Sequence, residues 1–159
     1  MKNYIAMLGA AVLMYPATLL CQGLNDKTSI ETGIRYELNE FAPEIQIYLD
    51  DIRNDGILDR VIIIGPEGRK ELQNGDPGFR YFANIVRENY LYRLLKNPKI
   101  RDLEINYEVD WDENGEKLLS IEIISKSNKI KIKIKPGDIG FKYMEKYYKS
   151  GRENCKKER

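Results

Sequence analysis

The chain has 159 residues, of which 42% are apolar and 32% charged, a composition typical of a folded globular protein and not of a disordered one. Lys and Arg number 26 against 25 Asp and Glu, and this balance argues against a nucleic-acid partner. The sequence contains no histidine, which excludes Ser-His-Asp and Cys-His catalysis and the usual zinc sites.

Residues 1–23 differ from the rest of the chain. Lys2 precedes an uncharged run that extends from Tyr4 to Cys21. A basic start, an apolar stretch and small residues at its end are typical of a secretory signal peptide, and the run also approaches the ~20 residues that span a bilayer. The segment therefore predicts a cleaved signal peptide or a membrane anchor, and an extracytoplasmic protein. Lipidation of Cys21 is a third alternative. Leu20 disfavours it, because lipid attachment sites have a small residue directly before the cysteine.

The remainder predicts one α+β domain over residues 24–150 and a basic flexible tail over 151–159. If the N-terminal segment is removed, Cys155 in the tail is the one cysteine left. A single cysteine cannot form an internal disulfide, so the fold must be stabilised by its core.

The first elements after residue 24 are predicted to be strands. Residues 28–41 fit both a helical face and a strand alternation, and Gly33 with the β-branched residues favours a strand that ends before Pro43. The segment EIQIYLD alternates apolar and polar residues, and DRVIIIG is nearly all apolar. These two segments predict an antiparallel hairpin with a short connection. Residues 65–78 are rich in glycine and proline and predict a loop.

A helix is predicted next, with Asp76 as its cap, Pro77 in its first turn and Pro98 beyond its end. Three strands follow, with the sequences DLEINYEVD, KLLSIEIIS and KIKIKIK, and the turns between them predict a meander. A last helix is predicted to end at Gly151. No long repeat is evident. The order predicts an α+β fold in which helices pack on one face of an antiparallel sheet of about five strands.

One stretch has the composition of a binding site. The segment LDDIRNDGILD, residues 49–59, crowds aspartates, an asparagine and a glycine between two predicted strands. It resembles the calcium loops of EF-hand-like modules and of aspartate-rich hairpins: Asp51, Asp55, Gly56 and Asp59 match the first, fifth, sixth and ninth positions of that pattern. The resemblance implies a calcium site formed by Asp51, Asp55 and Asp59 with the carbonyl oxygen of Ile57.

Two positions depart from the calcium pattern. Arg53 stands where the third ligand belongs, and Ile62 stands where an EF-hand has its bidentate glutamate. The alternative is a plain hairpin turn, which needs only Asn54, Asp55 and Gly56, with Arg53 replacing the ion. Asp50 is predicted to point to the opposite face of the strand and to be a poor ligand.

The KIKIKIK segment predicts a strand with one cationic face, formed by Lys129, Lys131, Lys133 and Lys135. Such a face can bind an anionic surface, but lysines also protect exposed edge strands from unwanted pairing. The protective role is the favoured interpretation.

The leading hypothesis is therefore a small exported or membrane-anchored module with a binding or structural role, with calcium as the candidate stabilising ion. An envelope hydrolase that uses carboxylates in a groove beside the tyrosine-rich helix is the first alternative. An adaptor that binds an anionic surface through the lysine-rich strand is the second.

Overall fold

The computed structural model of the protein describes residues 24–30, 33–38, 44–113 and 115–157. The chain divides into two compact units, Met1–Tyr90 and Leu91–Arg159. The predicted signal or anchor segment lies outside the described residues. Within the described part, neither helix is long and apolar enough to cross a membrane.

The first unit contains an antiparallel sheet in the order β1-β2-β3-β4-β5. The strands are β1 Leu24–Ile30, β2 Gly33–Leu38, β3 Gln46–Asp51, β4 Arg60–Gly65 and β5 Gly68–Leu72. The register places Tyr36, Leu49, Val61 and Leu72 opposite one another across four strands. All four are buried, so this row forms the centre of the core face.

Helix α1, Phe79–Lys96, follows β5 and runs past the division between the two units. Its buried residues in the first unit recur at helical spacing and are Phe79, Phe82, Ala83, Ile85 and Val86. The prediction of a helix here is confirmed. The role of Asp76 differs from the predicted helix cap. Its carboxylate accepts the amide of Gln73 at 2.7 Å and so closes the turn before the helix.

The second unit contains a three-stranded antiparallel sheet in the order β6-β7-β8. The strands are β6 Glu104–Asp112, β7 Gly115–Ser125 and β8 Ile130–Ile134, and helix α2, Phe141–Lys157, follows them. The rings of Tyr107 in β6 and Tyr148 in α2 lie 4.5 Å apart between centroids, so α2 contacts this sheet. The helix continues through Gly151, where the sequence predicts its end.

The last three strands of the first sheet and the helix after them repeat the element order of the second sheet: three antiparallel strands and then a helix. The sequences GDPGF, residues 75–79, and GDIGF, residues 137–141, end at the first residue of the two helices. In both, the aspartate carboxylate accepts the amide three residues before it, at 2.7 Å in Asp76 and 2.8 Å in Asp138. Both glycines of each motif have positive φ, from 86° to 102°, a conformation that glycine adopts without strain. This repeat was not predicted from the sequence, in which no long repeat is evident.

The predicted α+β fold with a single sheet of about five strands is wrong. The described residues form two separate antiparallel sheets, with one helix after each. Two local predictions contributed to the error. Residues 28–41 were predicted as one strand, but the described residues of this range, 28–30 and 33–38, belong to two, β1 and β2. The predicted loop 65–78 contains β5, a strand in which only Leu72 is buried and in which hydrophobic alternation is therefore invisible.

Candidate functional site: the aspartate loop

The aspartate loop, residues 51–59, joins β3 to β4 and is held closed by its own backbone. The amide of Asp59 donates to the carbonyl oxygen of Asp50 at 2.9 Å, and the amide of Asn54 donates to that of Asp51 at 3.3 Å. Asn54 and Gly56 have positive φ angles of 52° and 74°, and these residue types tolerate that conformation. The hairpin-turn alternative names Asn54, Asp55 and Gly56, and two of these three residues, Asn54 and Gly56, have the positive φ that it predicts.

Asp51 is the central acceptor of the loop and is fully buried. One carboxylate oxygen accepts the amide of Asp55 at 3.1 Å and the other accepts the amide of Gly56 at 2.8 Å. Burial raises the pKa of Asp51 above its ordinary value, and the two amide hydrogen bonds offset only part of this effect. The carboxylate thus replaces the missing backbone acceptors of a tight turn.

The other predicted ligands also take part in turn hydrogen bonds. Asp55 Oδ1 accepts the amide of Ile57 at 3.0 Å, and Asp59 Oδ2 accepts the amide of Ile52 at 2.8 Å. The side chain of Ile57 is half exposed at 50%. Each of the three aspartates therefore stabilises the loop itself.

Arg53 lies beside the two outer aspartates. Its Nε is 3.5 Å from Asp55 Oδ2, and its Nη2 is 3.7 Å from Asp59 Oδ1. The guanidinium thus supplies positive charge where the resemblance would place an ion. Within the described residues, no three carboxylates, cysteines or histidines are grouped to hold a metal ion. Calcium binding by Asp51, Asp55, Ile57 and Asp59 stays a prediction.

Helix α1 contacts the loop through two side chains. Arg87 Nη1 donates to the carbonyl oxygen of Asp55 at 2.9 Å. Tyr90 covers Gly56 so closely that a Cβ built on that glycine would lie 2.5 Å from the ring atom Cγ. The Arg87 guanidinium lies 5.7 Å from the centroid of the Tyr90 ring, within range of a cation–π contact. Gly56 is thus required by its φ angle and by this close approach.

Asp50 forms a separate network on the opposite face of β3, as the strand alternation predicts. It is fully buried between arginines of the two neighbouring strands. Arg35 binds it through two hydrogen bonds, from Nε at 2.6 Å and from Nη2 at 2.9 Å, and Arg60 Nε donates at 2.7 Å. Burial alone would raise the pKa of Asp50, but the hydrogen bonds and charges of Arg35 and Arg60 outweigh it and lower the pKa. Sequence reasoning missed this network, because only the strand register brings the three residues together.

The two neighbouring aspartates are expected to give opposite pH dependences of stability. Asp50 has a lowered pKa, so its contribution is present above the ordinary Asp pKa of about 3.9 and is lost as the pH falls below it. Asp51 has a raised pKa, so its contribution is present at low pH and is lost as the pH rises.

We therefore expect the free-energy deficit of Asp50→Asn, relative to the parent, to shrink as the pH falls from 7 to about 3. The deficit of Asp51→Asn should instead be larger in acid than at neutral pH. Urea unfolding of both variants and the parent at a series of pH values measures these differences. Parallel pH profiles for the two variants would contradict the assignment.

The second unit has a different hydrogen-bonded cluster, in which the carboxylate of Asp102 contacts two serines at the β7–β8 turn. Asp102 accepts hydrogen bonds from the hydroxyls of Ser125 and Ser127, at 2.7 and 2.6 Å, and from the amide of Ser127 at 2.8 Å. These hydrogen bonds, those from Ser127 most of all, lower the pKa of Asp102. Asp102 is 23 residues from Ser125 in sequence, so no local motif could have identified the cluster.

The lysine-rich segment forms the edge strand β8. Lys131 and Lys133 lie in the strand and are exposed, whereas Lys129 precedes it with a φ of 54° and Lys135 follows it. Lys131 Nζ is 3.6 Å from Glu122 Oε1 on the neighbouring strand. The strand therefore contains two of the four lysines that were predicted to form its cationic face.

Comparison of the chain with protein-family models, with curated proteins and with solved structures found no match.

Proposed function

We propose that the protein is a small exported or membrane-anchored module with a binding or structural role. The observation that carries this proposal is the use of the buried carboxylates. Asp50 is held by two arginines, and both oxygens of Asp51 accept backbone amides. A general acid or nucleophile needs a carboxylate oxygen that faces a substrate, and neither residue offers one. The uncharged run from Tyr4 to Cys21, with Lys2 before it, supports export or anchoring.

An activity panel distinguishes this role from the alternative hydrolase. The full-length protein is incubated with model glycosides, esters and phosphate esters, and Asp51→Asn and Asp55→Asn are measured beside it. We expect that any turnover by the parent is also shown by both variants. Turnover that disappears in either variant would support the hydrolase, with the active carboxylate in the aspartate loop. A reporter enzyme fused after residue 23 tests export, and a fusion retained in the cytoplasm would contradict that part of the proposal.

Arg53 is expected to act as the cation of the aspartate loop. Its contacts with Asp55 and Asp59 are exposed and longer than 3.4 Å, so Arg53→Ser should cost only about 0–1 kcal/mol of stability. Without the guanidinium, the two carboxylates repel each other and become available to calcium. Millimolar calcium should therefore raise the melting temperature of Arg53→Ser and leave that of the parent unchanged.

The matched control is Arg69→Ser, which removes an exposed arginine paired with Glu71 in the same unit. It should show no calcium response. A calcium-dependent rise in the parent that Asp55→Ala abolishes would instead establish the calcium loop that the sequence resembles.

A further inference from the structure

The repeat allows the two sheets to be compared position by position. In the first unit, Leu49 is opposite Val61, which is opposite Leu72; in the second, Tyr107 is opposite Ile121, which is opposite Ile134. Leu72 and Ile134 both stand three residues before the glycine that opens the GDxGF motif. The strands β3, β4 and β5 therefore correspond to β6, β7 and β8.

Two strands of the first unit, β1 and β2, have no counterpart among the described residues of the second. Strand β2 pairs with the outer edge of β3, whereas β6 pairs with β7 alone within the described residues. The burial of the apolar residues reflects this difference. Ile47 and Leu49 in β3 are 0% exposed, while Ile105 and Tyr107 at the same positions of β6 are only half buried.

The charges at the two edges differ in the same way. Asp50 of β3 is opposite Arg60 on one side and Arg35 of β2 on the other. The corresponding residue of β6 is Glu108, which is opposite Ser120 and accepts its hydroxyl at 2.7 Å. Glu108 is exposed, and no strand in the described part of the chain pairs with β6 on the side where β2 brings Arg35 to Asp50. Exposed acidic residues flank it along β6, at Glu104 and Asp110.

We infer that the outer edge of β6 is a docking site for an extended segment of a partner protein that alternates basic and apolar residues and adds to the sheet as β2 does in the first unit. The new strand would supply the missing backbone hydrogen bonds. Its apolar side chains would cover Ile105 and Tyr107, and a basic residue would pair with Glu108. Strands β5 and β8, which correspond to each other, are edge strands of the two sheets. They carry Lys70 and Lys131, which suit neither a basic partner segment nor strand addition.

A designed peptide tests the site in the full-length protein. In the antiparallel register of β2, the peptide Arg-Ile-Arg-Tyr-Thr-Leu-Arg places its arginines opposite Asp110, Glu108 and Glu104. The chain has one tryptophan. It is Trp111 at the end of β6, 67% exposed, so its fluorescence reports binding of a peptide that lacks tryptophan.

We expect saturable binding with a change in Trp111 emission. Replacing the central arginine of the peptide by glutamate should weaken binding about tenfold or more, since one close charge pair becomes repulsive. Glu108→Lys should reverse this preference and bind the glutamate peptide more tightly than the arginine peptide. Glu67→Lys makes the same charge change in the β4–β5 turn and should retain the preference of the parent.

Three results would overturn the inference: no change in Trp111 emission at millimolar peptide, equal preference in the parent and in Glu108→Lys, or self-association that Glu108→Lys abolishes. The last would make a second copy of this chain the occupant. The inference deepens the proposed binding role, and the two fail separately, because the activity panel does not depend on β6.

Discussion

Asp50→Ala is expected to lower the free energy of unfolding by about 3 kcal/mol or more. The carboxylate is fully buried, and the substitution removes three charge-assisted hydrogen bonds of 2.6–2.9 Å. It also leaves Arg35 and Arg60 facing each other across the vacated position. Removal of one partner of a buried ion pair is strongly destabilising for that reason. The arginines are 30% and 35% exposed, so water relieves part of the penalty and the lower end of the usual range applies.

Glu108→Ala is the matched control, because Glu108 occupies the corresponding position of the second sheet. It is exposed and has one hydrogen bond, from Ser120. Its loss should cost about 1 kcal/mol or less. Urea unfolding followed by circular dichroism measures both variants. A cost for Asp50→Ala no larger than that for Glu108→Ala would contradict the role of the arginine–aspartate network.

Gly33→Ala is expected to have a comparable effect, about 3 kcal/mol. A Cβ on Gly33 would lie 2.5 Å from the carbonyl oxygen of Ile52, 2.6 Å from its Cα and 2.7 Å from the carbonyl oxygen of Asp51. All three atoms belong to the backbone at the start of the aspartate loop. They cannot move aside without disturbing the turn that Asp51 holds, so overpacking is relieved only by displacing β2 or the loop.

Gly65→Ala provides the comparison at the end of β4. The nearest atom to its Cβ is Ile45 Cγ1 at 3.9 Å, an ordinary van der Waals distance, and we expect a change within about 0.5 kcal/mol. Thermal unfolding of the two alanine variants gives the difference directly. If Gly33→Ala melts at the same temperature as Gly65→Ala, the close approach of β2 to the loop does not exist in solution.

The sequence by itself determined the elements whose signals are local. The alternation in residues 45–49 predicted β3, and the apolar run 61–64 predicted β4. The helix α1 was predicted from its apolar spacing and from the prolines at its ends. The connection between β3 and β4 was predicted because Asn54 and Gly56 are residues that accept positive φ, which is a property of single residues.

Only the tertiary structure decided which strands pair and what the aspartates do. Pairing of β2 with β3 brings Arg35 to Asp50 across 15 residues of sequence, and no local pattern encodes such a contact. Strand β5 forms from polar residues because pairing with β4 satisfies its backbone, not because its side chains are apolar. Acidic composition made the loop resemble a metal site, whereas the positions of the amides around Asp51 decided that its carboxylate closes the turn. Composition records which groups are present, but hydrogen bonding depends on distance and direction, which the packed chain alone sets.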